Sequence, residues 1–147
     1  MYRRILVATD GSELSKKAVD SAIGLAKATG AELIATYVVP RYPASYFEGS
    51  ALLTHAEVAA TEKQWALQGQ AVLDHVREAA QSQGVTAKGI LERSDLVAEA
   101  ILATAGKYEC DLIVMASHGR KGLTRVLLGS ETQHVLTHGS LPVLVLR

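Results

Sequence analysis

The sequence predicts an α/β protein built on one doubly wound parallel sheet, with helices on both faces. Two observations predict this class. Short apolar runs alternate with longer amphipathic segments along the chain, which is typical of parallel strands joined by helical crossovers. The chain also has 147 residues, 48% of them hydrophobic and 20% charged, which matches one globular domain that can bury an ordinary core.

Five runs are predicted to be strands because they are short, apolar and partly β-branched. The fourth run is the most apolar of them. The third is less apolar than the rest, so we expect it to lie nearer an edge of the sheet. The predicted strands are Arg4–Thr9, Glu32–Val39, Thr86–Glu92, Asp111–Ala116 and Leu141–Leu146.

Four segments are predicted to be helices because their apolar residues recur at helical spacing. Ser12 is a suitable N-cap for the first, and glycines follow the first, second and fourth, where they can end a helix. The predicted helices are Ser12–Thr29, Glu57–Gln83, Asp95–Lys107 and Ser130–His138.

The inward faces of two helices and one long connection complete the predicted organisation. Between the second strand and the second helix, the irregular stretch Pro40–Ala56 is predicted to be a long connection, a feature that is often functional. The predicted inward residues are Val58, Trp65, Val72, Val76 and Ala79 of the second helix and Ala98, Ile101, Thr104 and Ala105 of the third.

Charge and composition give no support to a nucleic-acid or membrane partner. The 15 basic residues balance the 15 acidic ones, and aromatic residues make up only 5% of the chain. No apolar run has the length of a signal peptide or of the ~20-residue span that crosses a bilayer. Cys110 is the one cysteine, so we expect no internal disulfide, a packed rather than reactive thiol and a cytoplasmic location.

A ligand site is expected beyond the carboxyl ends of the strands, where the strand order of an open parallel sheet reverses. One candidate is the Ala8–Ser12 segment after the first strand, and the other is Ala116–Gly119 after the fourth. Asp10 can accept hydrogen bonds from a sugar or an adenine amino group, or hold a metal. Alternatively, Asp10 only forms a local turn or caps the helix that starts near Ser12.

The second candidate has the character of a phosphate site. Residues 112–130 include no acidic side chain but carry three basic ones, and three glycines in the same stretch allow close approach of a ligand to the backbone. Gly129 and Ser130 then open a helix, whose free N–H groups and dipole suit an anion. Alternatively, Ser130 and Gln133 form a capping box that closes their own helix. Neither a Walker P-loop nor a G-x-G-x-x-G fingerprint is present.

Two further constellations are weaker. His134 and His138 are four residues apart, but Val135 between them breaks the H-E-x-x-H pattern of zinc enzymes. Ser117 and His118 suggest a nucleophile and base, but adjacent residues rarely face one another usefully, and no G-x-S-x-G elbow is present.

The sequence resembles the universal stress protein family over nearly its whole length. The opening ILVATDGSELSKKA and the closing MASHGRKGLTRVLLGSETQHVLTHGSLPVLVLR carry the resemblance. The family's ATP-binding members have G-x-x-G, nine residues, then G-S/T. Here Ala116–Gly119, the nine residues Arg120–Leu128 and Gly129–Ser130 follow that spacing. Ala116 replaces the first glycine, whose position lies against the ribose. Because the backbone groups remain available, we expect ATP binding to survive.

The resemblance implies a single domain over residues 1–147 with an adenine nucleotide alpha hydrolase-like (Rossmann-like) sheet of strand order 3-2-1-4-5. Asp10, with the backbone of Ala8 and Thr9, would face adenine and ribose, and the backbone of Val38 would pair with adenine. The amides of four residues would bind the phosphates, with the Ser130 hydroxyl: Gly119, Gly129, Ser130 and Glu131. Seven other residues complete the implied site: Ala116, Ser117, His118, Arg120, Gly122, Arg125 and Thr132.

The resemblance further implies a cytoplasmic, ATP-binding regulator or sensor in the stress response. AMP and ADP are alternative ligands, and Mg²⁺ or Mn²⁺ would bridge the phosphates. Family members usually form homodimers along the last strand, here Leu141–Leu146. Two rival functions stay open: a slow ATPase or nucleotidyl- or phosphoryl-transfer enzyme, with His118 as the titrating candidate, and a ligand-free dimeric interaction module. The sequence identifies no downstream protein partner.

Overall fold

In the computed structural model, residues 1–41, 54–119 and 128–147 are described. Within these ranges one parallel sheet has the strand order β3-β2-β1-β4-β5, which confirms the predicted class, the strand order and the edge position of β3. Each observed strand lies within two residues of its predicted bounds. The strands are β1 Arg4–Ala8, β2 Glu32–Val39, β3 Ala87–Arg93, β4 Leu112–Ala116 and β5 Val143–Leu146.

Helices cover both faces of this sheet. The first two pack on one face over Ile5, Val7 and Leu33, and the last two pack on the other over Leu6 and Ile113. Alternation of the side chains along each strand explains why both faces are apolar. The helices are α1 Glu13–Thr29, α2 His55–Ser82, α3 Val97–Lys107 and α4 Ser130–His138.

Local capping explains where α1 and α2 begin. The Ser12 hydroxyl accepts the Ser15 N–H at 3.3 Å, as predicted, and Gly30 ends α1 with a left-handed φ of 74°. Helix α2 starts at His55, before the predicted Glu57. The physical reason is a capping box in which Thr54 and Glu57 satisfy each other's backbone N–H groups.

Helix α3 starts at Val97, not at the predicted Asp95. The Asp95 carboxylate accepts the backbone N–H of Arg41 at 2.9 Å and so holds the chain leaving β2 against the turn before α3. A contact across 54 residues therefore takes Asp95 out of the helix.

The buried face of α2 is rotated slightly about the helix axis relative to the row of inward residues that the sequence predicts. Its buried residues are Gly69, Leu73, Val76 and Ala80. Of the other predicted inward residues, Trp65, Val72 and Ala79 pack partly buried against the same core. Gly69 permits this close approach of α2 to the sheet, because a Cβ there would lie 2.7 Å from Cδ1 of Tyr37. The inward residues predicted for α3 are all buried.

Cys110 is packed, as predicted. Burial raises the pKa of its thiol from 9.0 to about 11, because the charged thiolate loses solvation there. The thiol is therefore neutral near pH 7 and a poor nucleophile.

No helix in the described ranges combines the length and apolar character needed to cross a membrane.

Among the buried polar side chains of the described residues, Thr36 is an exception because its hydroxyl makes no hydrogen bond. It lies in β2, on the face covered by α3 and α4, and is 1% exposed. Its Oγ1 has no hydrogen-bond partner among the described residues. A buried hydroxyl of this kind reduces stability, since it loses water without gaining a replacement.

Two helical glycines make a matched test of the α2 packing. Alanine at Gly24 of α1 meets nothing within 4 Å, whereas alanine at Gly69 meets the Tyr37 ring. We expect Gly24→Ala to raise the free energy of unfolding by about 0.5–1 kcal/mol, and Gly69→Ala to lower it, since overpacking costs about 1–3 kcal/mol. Urea denaturation of both variants measures the difference. Equal stabilisation by the two would contradict the described approach of α2 to the sheet.

Replacing the Thr36 hydroxyl by a methyl group should stabilise the fold. We expect Thr36→Val to raise the free energy of unfolding by about 1 kcal/mol, because it removes an unsatisfied buried polar atom at nearly constant volume. Thr104→Val is the control, since the Thr104 hydroxyl donates to the Ala100 carbonyl at 2.8 Å. A loss of stability in Thr36→Val, measured by calorimetry, would show that the hydroxyl has a partner such as a buried water.

Candidate functional site

The candidate site is a notch at the carboxyl edge of the sheet, where β1 ends before its neighbour β2. Ala8 pairs with Thr36, and the Thr9 N–H donates to the Thr36 carbonyl at 3.0 Å. Alternate residues of a strand direct their backbone groups to the same neighbour. The N–H and C=O of Val38, two residues after Thr36, therefore face the side that β1 has already left. Val38 thus presents one backbone donor and one backbone acceptor to the notch.

A tight turn over residues 9–12, directly after β1, forms one side of the notch. Gly11 has a φ of 80°, a conformation that favours glycine. The Asp10 carboxylate accepts the Ser12 N–H at 2.9 Å, and the Thr9 hydroxyl accepts the Gly11 N–H at 3.2 Å. Asp10 thus has the local turn role that was one of its two predicted roles.

The same carboxylate also lies against the loop after β4. A Cβ on Gly119 would come within 2.6 Å of Asp10 Oδ2. The structure therefore brings together the two segments that the sequence singled out, because β1 and β4 are adjacent in the sheet. Gly119 is the residue whose missing side chain makes room for the Asp10 carboxylate.

Helix α4 starts directly on the end of β4. The Gly129 N–H donates to the Ser117 carbonyl at 2.7 Å, and the Thr132 hydroxyl donates to the Ala116 carbonyl at 2.9 Å. A Cβ on Gly129 would lie 3.2 Å from both His118 Cα and the Ser117 carbonyl oxygen. These contacts clamp the first turn of α4 onto the strand.

The alternative interpretation, a capping box of Ser130 with Gln133, is wrong. Gly129 is the N-cap and Ser130 is already the first helical residue, because the clamp on β4 starts the helix one residue earlier. Within the described ranges no side chain caps α4. The first N–H groups of a helix lack intrahelical partners and carry the positive end of its dipole, so this turn can bind an anion.

Ser117 and His118 contact each other, contrary to the expectation for neighbouring residues. The Ser117 hydroxyl lies 3.1 Å from His118 Nδ1, and the Ser117 N–H donates to the Leu146 carbonyl at 2.7 Å. Ser117 is buried and so links β5, β4 and α4.

The side chain of Glu131 reaches the start of helix α3. Its Oε2 accepts the backbone N–H of Ala98, at the start of α3, at 2.8 Å. The family resemblance implied a role only for the backbone amide of Glu131, and no spacing rule could reveal a contact across 33 residues.

Part of the predicted site falls outside the described residues. These parts are Arg120, Gly122 and Arg125, together with residues 42–53 of the predicted connection Pro40–Ala56.

Two other features lie away from the notch. The rings of His134 and His138 stack at 4.1 Å on α4, and the described residues contain no group of three His, Cys, Asp or Glu suited to a metal. An open groove of about 500 Å³ borders Gly84–Ala87, at the opposite, amino edge of the sheet.

Comparison with known proteins gives consistent results. A model of the universal stress protein family matches residues 1–147. A universal stress protein of Methanocaldococcus jannaschii is 34% identical over 154 residues, covering 100% of this chain and 83% of that protein. Another from Bacillus subtilis is 32% identical over 149 residues and is covered completely, as is this chain.

Solved structures of the family share the fold. UspA of Lactobacillus plantarum has a TM-score of 0.83 and 26% identity, covering 99% of this chain and 98% of that one. A universal stress protein in complex with cAMP has a TM-score of 0.72 and 24% identity, covering 99% and 97%. A protein of Archaeoglobus fulgidus in complex with dAMP has a TM-score of 0.69 and 16% identity, covering 99% and 98%. The last two show likeness of fold.

The fit of Asp10 against Gly119 can be tested directly. We expect Gly119→Ala to displace the Asp10 carboxylate and weaken its bond to the Ser12 N–H, because the new Cβ would lie 2.6 Å from Oδ2. The Ser12 amide should shift in the ¹⁵N NMR spectrum and exchange faster with deuterium. Gly106→Ala, with nothing within 4 Å of its Cβ, is the control. An unchanged Ser12 amide would refute the contact.

Proposed function

Because the chain belongs to the universal stress protein family, we propose that it is an ATP-binding member that acts as a nucleotide-responsive regulator in the stress response. The proposal treats residues 1–147 as one domain and places the protein in the cytoplasm. AMP and ADP are alternative ligands of the same site.

The observation that carries the proposal is the first turn of α4. This turn is clamped to the end of β4 through Gly129 and Thr132, and no described side chain caps it. An uncapped helix start held rigidly at the carboxyl edge of a parallel sheet suits phosphate oxygens. The amides of Ser130 and Glu131, with the Ser130 hydroxyl, are the proposed phosphate donors.

The base and ribose would occupy the notch between β2 and β4. The Val38 backbone, on the side that β1 has left, offers one N–H and one C=O, which match the ring nitrogen and amino group of adenine. The Asp10 carboxylate can accept hydrogen bonds from ribose hydroxyls. Ala8 and Thr9 form the floor of the notch, and Ala116 adds a methyl group beside the ribose position.

Two structures of the same fold support the class of ligand. One is of a protein in complex with cAMP and the other of a protein in complex with dAMP. The fold can therefore hold an adenine nucleotide. We propose that Mg²⁺ or Mn²⁺ joins the complex through the phosphates, with water completing its coordination.

A homodimer along β5 is part of the proposal. This strand lies at an edge of the sheet, and Leu144 on it is 39% exposed. Leu136 of the neighbouring α4 is 43% exposed. Apolar side chains beside an unpaired strand edge favour pairing with a second copy.

Binding measurements test the proposed function. Calorimetric titration of the wild type with adenosine, AMP, ADP and ATP, with and without Mg²⁺, should show affinity rising with the number of phosphates. We expect Gly129→Val to weaken ATP by at least tenfold, or about 1.4 kcal/mol, because its side chain separates α4 from Ser117. Adenosine should change little in that variant, whereas Asp10→Ala should weaken adenosine and ATP alike.

Three outcomes contradict the proposal in different ways. No binding of any adenine nucleotide to the wild type would favour the ligand-free interaction module. Equal affinity of Gly129→Val and wild type for ATP would show that the phosphates bind elsewhere. Steady turnover of labelled ATP that is lost in His118→Ala would favour the enzyme. Sedimentation equilibrium of the same samples reports the proposed dimer.

A further inference from the structure

The start of α3 is capped by a residue from another helix. Glu131 Oε2 accepts the N–H of Ala98, the second residue of α3, at 2.8 Å. The α3 N-cap position is Leu96, which has no side-chain group to do this. A carboxylate at a helix N-terminus is stabilising through the hydrogen bond and the helix dipole. Glu131 therefore supplies the capping group that Leu96, at the N-cap position of α3, lacks.

Glu131 is also the second residue of α4, inside the uncapped turn. Its backbone therefore belongs to the proposed phosphate site while its side chain holds the neighbouring helix. The C-terminal end of α4 also packs on α3, since a Cβ on Gly139 would lie 2.8 Å from Cδ2 of Leu102, in the middle of α3. The bond from Glu131 to Ala98 thus fixes the end of α4 that faces the notch.

The bond to Ala98 also fixes the position of the negatively charged Glu131 carboxylate. A free carboxylate in the first turn of α4 would compete with a phosphate for the same amides or repel it. Here the carboxylate is paired with the positive end of α3 instead. The same start of α3 is held on its other flank by Asp95, which bonds the Arg41 N–H. The turn before α3 therefore contacts the chain leaving β2, and the first turn of α3 contacts α4.

We infer that Glu131 is a positioning residue for the phosphate end of the site. Its carboxylate, bound to the Ala98 amide, holds the first turn of α4 where its amides can receive phosphate oxygens. This inference rests on the proposed function. When the bond is lost, α4 populates the binding position for only a fraction of the time, and the apparent affinity for a phosphate-bearing ligand falls by that fraction.

The test compares three variants by titration with ATP and adenosine. Glu131→Ala should weaken ATP by roughly five- to twenty-fold and leave adenosine within about twofold, because adenosine is proposed to contact β2 and Asp10 rather than α4. Glu131→Gln should recover most of the loss, since its amide oxygen can still accept the Ala98 N–H. Glu99→Ala is the charge-matched control, because Glu99 is an exposed acidic residue in the first turn of α3, and it should bind both ligands as the wild type does.

Hydrogen exchange of the ligand-free protein gives a readout that does not depend on the nucleotide. In Glu131→Ala, exchange should accelerate at the Ala98 amide and at the first-turn amides of α4. The inference is overturned if Glu131→Ala binds ATP as tightly as wild type, or more tightly, which would make the carboxylate only a repulsive charge. Equal losses for ATP and adenosine overturn it too. If the wild type binds neither ligand, the proposed function fails by itself, and unchanged exchange in α4 then overturns the positioning role.

Discussion

The whole arrangement depends on a central strand that stops early. β1 is hydrogen-bonded to β2 on one side and β4 on the other, and its last residue is Ala8. Parallel strands all point their carboxyl ends to one edge, so the chains leaving β1 and β4 must meet there. The turn at Gly11, with its positive φ, then carries the chain away. What remains is a notch with backbone groups of β2 on one wall and the start of α4 on the other.

Buried polar side chains keep this edge rigid. Of the buried polar residues in the described ranges, Thr9, Ser15, Ser117 and Thr132 all lie at the carboxyl edge, and each makes a hydrogen bond. Leaving a buried hydroxyl without a hydrogen bond lowers the free energy of unfolding by about 1–3 kcal/mol. Each of these side chains must therefore stay within hydrogen-bond distance of its partner. The Thr36 hydroxyl, which has no described partner, makes no such link.

The two helix N-termini near the notch differ in their capping. α3 receives a carboxylate from Glu131, whereas α4 receives none from the described residues. Since a capping carboxylate and a phosphate compete for the same amides, this difference leaves α4 available for a ligand and closes α3 to one. Because Glu131 joins the two helices, the capped start of α3 and the uncapped start of α4 depend on each other. A site built in this way combines open amides with a fixed position, which an isolated helix end does not provide.

The sequence by itself determined the alternation of strands and helices and most of their bounds, including Ser130–His138, because periodicity and capping are properties of consecutive residues. The spacing that ends in Gly129, interpreted through the family resemblance, also indicated the first turn of α4 as the proposed phosphate end of the site. The strand order came from family resemblance, since local pattern does not specify which strands pair. Only the tertiary structure decided that Ser130 is not the cap of α4, that Asp95 lies outside α3 and that Glu131 bonds to a neighbouring helix. Each of these depends on a backbone partner distant in the chain, which no local pattern of residues encodes.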